Sequence, residues 1–433
     1  MSASGASPTP APPLPAAKPT KVRMAIMAIL FLVILVGFLD RVNISIIIAD
    51  PTFKSEMHIM NNPTAQGLLM SLFLFTYAIV QVFFGPVGDW LGARKISLIC
   101  VFCWGIAEII GGLARVLNTL YLSRLLLGAV EALPYPMMSK YVRAWMPPRD
   151  WGKASAAWTV GVYVGPCISM PLFAWIVAGW GWRATYWFCA AIGFAILPLI
   201  FWTKDRPEQH KSVNQAELAY IRSGSESAPA QQKTAPANFW ANAKVLLTKP
   251  DYIFNMVAFW GSTIMWWGLV TWLPTYLKAV RGFSWMAMGW LSSLPYALGV
   301  LGVIGYGIIS DKVGGRRAPY FALSMTGSAV FIYLGAIVHD NLTAALCMAV
   351  AVGWTGVNLV ATFTILQKIA PENIMGTAAG LHNGSAQFLG AFVPAIVGYV
   401  IATTGSYMGG LMFMVSCGAV GACSAILMTL RKV

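Results

Sequence analysis

The sequence predicts an all-α polytopic membrane protein of twelve spans, arranged six plus six, with both termini cytoplasmic. Three observations carry that reading. Hydrophobic residues fill 58% of the 433 positions and charged residues only 10%, against about 25% charged in an ordinary soluble domain. Apolar runs recur along the chain at roughly the 20-residue length that a bilayer core demands. Lys and Arg, finally, crowd into alternate connections between those runs. A soluble globule, a disordered chain and a secreted disulfide scaffold are all excluded. The net charge of +14 is read as loop charge that sets membrane orientation, not as a nucleic-acid footprint.

Residues 1–20 are rich in Ala, Pro and Ser and lack an apolar core, so they read as a disordered cytoplasmic tail and not as a signal peptide. Spans 1 to 6 follow at about 24–49, 65–87, 96–115, 119–142, 154–178 and 184–203, within an amino-terminal half of 21–203. A polar connection at 204–250 separates them from a carboxyl-terminal half, 251–433. There, spans 7 to 12 lie at about 251–277, 285–309, 318–338, 341–367, 375–401 and 407–430. In the connection, SVNQAELAYI (212–221) has the pattern of a short amphipathic helix starting near Ser212 or Asn214. The stretch 223–238 that follows has the composition of a flexible tether.

Orientation follows from the basic residues. The side holding both termini and the long central connection carries 22 Lys and Arg, and the opposite side carries 5. The positive-inside rule places the first side in the cytoplasm. An odd number of spans would destroy the alternation. The seven Cys all fall in apolar runs. Cys100 and Cys103 share a helical face, but no His or further Cys stands beside them, so packing is preferred over a metal site.

A duplicated motif marks the two halves. After span 2 come Gly85, Asp89, Gly92, Arg94 and Lys95, and after span 8 come Gly307, Asp311, Gly314, Arg316 and Arg317. The glycines permit a tight turn between helices, and the Asp can pair with Arg or accept from a helix N-terminus. These residues resemble the loop motif of the major facilitator superfamily, over about 24–430. The resemblance implies two six-helix bundles around a central cavity, with substrate near the midplane, and gives Gly85, Asp89, Gly92, Arg94, Asp311, Gly314 and Arg316 a gating role.

Ionisable residues inside spans are functional candidates by default, because each costs roughly 2.5–3.5 kcal/mol on insertion scales. Span 1 carries Asp40 and Arg41, about 100° apart around the helix and so aimed at different partners. Span 4 carries Arg124 and Glu131, two turns apart on one face and about 10 Å apart along the axis, with Pro134 and Pro136 loosening the helix beyond them. Glu108 in span 3 lacks an evident basic partner and reads mainly as packing. Tyr77 and Gln81 share a face of span 2. Tyr163 and Gln387 are further polar groups in apolar helices, and His382 with Asn383 lies on a small-residue surface of span 11. Of Trp260, Trp266, Trp267 and Trp272 in span 7, at most one is expected to face a cavity, since interfacial belts account for most such Trp.

Asp40, Arg41 and Asn43 in span 1, with the span 4 pattern from Arg124 through Glu131 to Pro136, resemble the anion:cation symporter family of that superfamily. Its members include galactonate and glucarate permeases, sialin and vesicular glutamate transporters. The resemblance implies Asp40 and Glu131 as proton-coupling residues, Arg41 and Arg124 as anion-binding residues, and Tyr77 and Asn383 as sugar-acid contacts. Two positions depart from the sugar-acid permeases: His382 replaces Phe, and Phe363 replaces the Trp of the galactonate permease. The anion machinery therefore transfers and the substrate identity does not. His382, Gln387 and Phe363 join the expected substrate-binding set.

Two arginines favour a carboxylate, and two buried carboxyl groups favour the proton as coupling ion. The expectation is proton-coupled import of an organic carboxylate by a functional monomer in the bilayer of a bacterial inner membrane. Sugar acids lead (hexonates, hexarates, hexuronates), and aromatic carboxylates come second. An uncoupled exchanger, a uniporter, an exporter and a membrane receptor are the alternatives. No nucleotide-binding loop, metal-ligand cluster or activated nucleophile is present, so no enzyme, cofactor or metal is expected.

Overall fold

A computed structural model describes residues 18–84, 91–151, 154, 157, 160–223, 239–313, 317–371 and 374–432. The described residues are mostly helical, with no strand among them. Eleven helices are long and apolar enough to cross a bilayer. Span 4 accounts for the twelfth crossing in two pieces, Leu117–Glu131 and Pro134–Trp145. At 15 and 12 residues, neither piece reaches the length of a span, but together they do. Pro134 causes the break: its ring has no N–H to continue the ladder and crowds the carbonyl four residues earlier.

The remaining spans sit close to their expected places, as Val22–Ile47, Pro63–Phe84, Ala93–Leu113, Gly161–Trp180, Trp182–Trp202, Pro250–Thr275, Trp285–Val313, Ala318–Ile337, Asn341–Ile369, Met375–Thr404 and Tyr407–Leu430. A short helix, Pro51–Glu56, follows span 1 and was not foreseen; the Asp50 side chain caps it by accepting from Thr52 N–H. The helix expected at 212–221 runs Gln215–Arg222, and its start is set by Asn214, whose side chain accepts from Glu217 N–H at 2.8 Å.

Glu217 itself is fully buried. Its carboxylate accepts from the backbone N–H of Val22 and Arg23 at 3.3 and 3.1 Å, at the free donors that open span 1. Arg23 also pairs with it at 2.9 Å. The linker helix is thereby fastened to the amino-terminal bundle. A second linker helix, Phe239–Leu247, corrects the reading of 204–250 as one short helix plus tether. Ala243 and Leu246 of this helix are buried, and Leu246 packs with Tyr252, Met256, Leu366 and Ala378 beneath spans 7, 10 and 11. Residues 1–17 and 224–238 lie outside the described residues.

The two bundles meet firmly at the end opposite the basic loops. Ser71 Oγ of span 2 accepts from Ala395 N–H of span 11 at 3.1 Å. At Gly67 the backbones are closer still, since a Cβ there would lie 2.1 Å from the Pro394 carbonyl oxygen and 3.0 Å from Ala395 Cα. Backbone on the far side cannot yield as a flexible side chain would. Gly67→Ala is therefore expected to force spans 2 and 11 apart at this end. In a Cys-free background, Ser71→Cys should react several-fold faster with an impermeant thiol reagent when Gly67→Ala is added. Equal rates would contradict the closed contact.

Candidate functional site: a cavity between the bundles

A cavity of about 220 Å³ lies between the halves. Spans 1, 2 and 5 line it with Phe38, Arg41, Tyr77, Gln81, Val162 and Tyr163. From spans 7, 10 and 11 come Phe259, Ser262, Thr263, Trp266, Trp267, Thr355, Leu359, Phe363, Asn383 and Gln387. Among these, Arg41 is the one charged side chain.

Arg41 is held from three directions. Its guanidinium donates to Glu131 Oε2 from Nη2 at 3.1 Å and from Nε at 3.4 Å. It also lies over the rings of Phe38 at 4.4 Å and Tyr77 at 4.7 Å, a placement that favours a desolvated cation. Arg41 is 7% exposed and Glu131 5%. Glu131 does not line the central cavity. It borders a small pocket behind Arg41, with Val33, Gly37, Trp104 and Pro134. One of its oxygens, Oε1, has no hydrogen-bond partner. The guanidinium thus stands between the cavity on one side and a carboxyl group on the other.

Two expected substrate contacts do not reach the cavity. Arg124 is fully buried, packs over Phe73 at 5.0 Å, and donates to the carbonyl oxygens of Leu69, Asp40 and Arg41 and to Asn43 Oδ1 at 3.3–3.4 Å. It binds spans 1, 2 and 4 to one another. His382 is the second. Its ring stacks on Phe259 at 4.8 Å, and Nε2 lies 3.0 Å from Asn255 Nδ2 and 3.1 Å from Thr362 Oγ1. Neighbours on a helix are about 100° apart, so while Asn383 faces the cavity, His382 faces spans 7 and 10. Asp40 is likewise buried away from the cavity.

Arg41, Tyr77, Phe363, Asn383 and Gln387 do line it, as do Gln81 and Tyr163. Span 7 departs from expectation, because both Trp266 and Trp267 line the cavity. Trp260 and Trp272 instead donate to Ser385 Oγ and the Pro394 carbonyl. The positions that sequence reasoning missed were Phe38, Val162, Phe259, Ser262, Thr263, Thr355 and Leu359. In span 7 the signal was present: 259, 262, 263, 266 and 267 recur at helical spacing, polar and aromatic together.

Of the gating residues, Gly92 and Arg94 can be placed. Gly92 has φ +86°, a left-handed conformation that suits Gly. The Asp205 carboxylate beyond span 6 accepts from Arg94 N–H at 2.8 Å, and the Arg94 guanidinium donates to the Phe201 carbonyl at 2.7 Å. Asp311 falls within span 8. Gly85, Asp89, Gly314 and Arg316 lie outside the described residues. No group of His, Cys, Asp and Glu among the described residues could hold a metal.

The major facilitator superfamily model matches residues 30–395. The chain belongs to the major facilitator superfamily. Relatives extend over nearly its whole length. The probable sulfoacetate transporter SauU of Cupriavidus necator is 29% identical, over 93% of this chain and 92% of its own. The probable galactarate/D-glucarate transporter GudP of Bacillus subtilis is 29% identical, over 92% and 90%. The D-galactonate transporter of Escherichia coli O6:H1 is 26% identical, over 96% and 97%. Among solved structures, an inward-facing, occupied bacterial homologue of the human lysosomal transporter Spinster superimposes with a TM-score of 0.75. It covers 96% of this chain and 98% of its own at 16% identity, a likeness of fold. This superfamily member is a multi-pass integral membrane transporter, with the twelve-helix architecture of two bundles around a cavity.

Proposed function

We propose that the chain imports a small organic carboxylate together with protons, by alternating access of the cavity to the two sides of the membrane. The observation that carries this reading is the position of Arg41, exposed to the cavity in front and bound to Glu131 behind. A substrate carboxylate can take the front of the guanidinium only in competition with Glu131. A proton on Glu131 removes the competing charge, so proton and anion favour one another's binding. That reciprocity is coupling expressed as linkage. Each net charge moved gains about 2.3 kcal/mol per 100 mV of membrane potential.

Hydroxylated carboxylates are the substrate class we favour. Tyr77, Gln81, Ser262, Asn383 and Gln387 offer donors and acceptors around the cavity, and two of the three relatives are named as a probable galactarate/D-glucarate transporter and a D-galactonate transporter, the third as a probable sulfoacetate transporter. A second reading, an aromatic carboxylate, draws on the rings of Phe38, Tyr163, Phe259, Trp266, Trp267 and Phe363. The cavity is complete within one chain, which supports a functional monomer. The basic loops support cytoplasmic termini and import across a bacterial inner membrane.

A thermal-shift panel of sugar acids, small sulfonated acids and aromatic acids identifies the ligand. At 100 times its Kd a ligand should stabilise the protein by about 2.7 kcal/mol. Uptake of that labelled ligand by proteoliposomes holding no substrate then separates coupling from exchange. Accumulation should appear with an inward-directed pH gradient and vanish without one. Uptake that ignores the gradient and requires substrate inside the vesicles would make the protein an uncoupled exchanger.

A further inference from the structure

Gln387 of span 11 lines the cavity, and its side-chain amide has one hydrogen-bond partner among the described residues. The Trp267 indole N–H of span 7 donates to Gln387 Oε1 at 3.2 Å. An indole N–H can only donate, so the amide oxygen must be the atom that meets it. The Gln387 amide nitrogen is thereby turned away from Trp267, with its two donors free of any acceptor among the described residues. The indole is held firmly in this position. Trp267 is 4% exposed. It lies against span 11 at Gly390, where a Cβ would come within 2.8 Å of the indole Cδ1 and 3.3 Å of its Nε1. Gly390 stands three residues beyond Gln387, on the same face of the helix.

The cavity therefore has two unlike walls. Arg41 of span 1 supplies its positive charge, whereas no lining residue from spans 7, 10 and 11 is charged. Thr263 and Thr355 on that second wall spend their hydroxyl protons on the carbonyl oxygens of Phe259 and Val352. They keep only lone pairs to offer, while Gln387 offers only N–H groups. An acid group at this wall would lose its water and meet no cation, a loss that neutral donors do not make good. A hydroxyl or carbonyl oxygen gives up far less hydration and is satisfied by the same donors. We propose that Trp267 is a positioning residue that turns the Gln387 amide N–H groups into the cavity, and that this uncharged donor selects substrates whose end away from Arg41 carries a neutral oxygen over those carrying a second acid group.

The selection rests on the carboxylate reading above, in which one acid group of the substrate answers Arg41. The contact between Trp267 and Gln387 does not depend on it. Among sugar acids the selection favours hexonates and hexuronates, which end in a hydroxymethyl or carbonyl group, over hexarates, which end in a second carboxylate.

Calorimetric binding of matched acids to the purified protein at neutral pH tests the selection. D-gluconate and D-glucarate differ only in the far group, hydroxymethyl in one and carboxylate in the other. The pair 4-(hydroxymethyl)benzoate and terephthalate differs in the same way. In whichever pair binds, the monoacid should bind about tenfold or more tightly than the diacid. Trp267→Phe keeps a ring in the wall but frees the amide to turn, and should shrink that ratio several-fold. Gln387→Lys places a cation there and should reverse the preference, which a mere loss of packing does not do. A wild type that binds the diacid as well as the monoacid, or a Gln387→Lys that leaves the preference unreversed, overturns the selection. An unchanged ratio in Trp267→Phe overturns the positioning role. Should these variants fail to fold, the wild-type ratio still decides the selection. In protein carrying 15N-indole tryptophan, the NMR signal missing from Trp267→Phe should shift in Gln387→Leu, and an unshifted signal also overturns the positioning role. Equal wild-type affinities that both vanish in Arg41→Ala sink the selection and leave the carboxylate reading standing. If neither pair binds, that reading fails and the selection with it, while the indole signal still decides the Trp267–Gln387 contact.

Discussion

Arg41→Ala is expected to abolish accumulation and to weaken substrate binding about 30-fold or more. That corresponds to roughly 2 kcal/mol, within the range for hydrogen bonds to a charged group. The side chain is the one cation on the cavity wall, so nothing else there can answer a carboxylate. Folding should survive, because the truncation leaves Glu131 beside a small pocket, where a proton can neutralise it. Arg41→Lys separates charge from shape: a retained ammonium keeps the attraction but loses the planar fork that matches a carboxylate. It should bind at intermediate strength.

Arg124→Ala should behave differently, although sequence alone gives the two arginines the same role. Removing Arg124 leaves the acceptors at Leu69, Asp40, Arg41 and Asn43 without their shared donor. A buried acceptor left without its donor costs about 1–3 kcal/mol. Reduced folded yield and a lower melting temperature are expected, beyond any effect on binding. Binding of purified protein by isothermal calorimetry, beside thermal melts, distinguishes the pair. Normal binding by Arg41→Ala, or a fully stable Arg124→Ala that has lost only binding, would reverse the assignment.

The contrast marks where sequence reading runs out. Spans are legible because apolar length and loop charge are local properties of the chain, and the ends of most spans fall within a few residues of expectation. The break in span 4 is legible in Pro134. The helix at Phe239–Leu247 is not, because its short apolar stripe has meaning only against Tyr252, Leu366 and Ala378, which lie far along the chain. Site residues divide on the same principle. A buried ionisable residue is conspicuous in sequence, but its direction is fixed by partners on other helices. Arg124 finds carbonyls, His382 finds Asn255 and Thr362, and Arg41 alone finds the cavity.

Glu131→Gln should uncouple the carrier without disabling it. Gln has the size and polarity of the protonated acid and cannot release a proton. Arg41 would lose its charged partner yet keep an amide oxygen to bond, so the guanidinium stays in place and faces the cavity with less competition. Substrate binding should therefore persist or strengthen, and its dependence on pH should weaken. Exchange of labelled for unlabelled substrate should continue, because exchange needs no proton to leave. Accumulation should fail by an order of magnitude or more, because the empty carrier of this cycle returns only after Glu131 is deprotonated and rebinds Arg41. A purely structural Glu131–Arg41 pair predicts another pattern, with binding and exchange falling together as the cavity wall loosens. Measuring binding, exchange and gradient-driven uptake on one preparation distinguishes the two. Undiminished uptake by Glu131→Gln would remove this residue from the coupling step and leave Asp40 as the sole candidate to carry the proton.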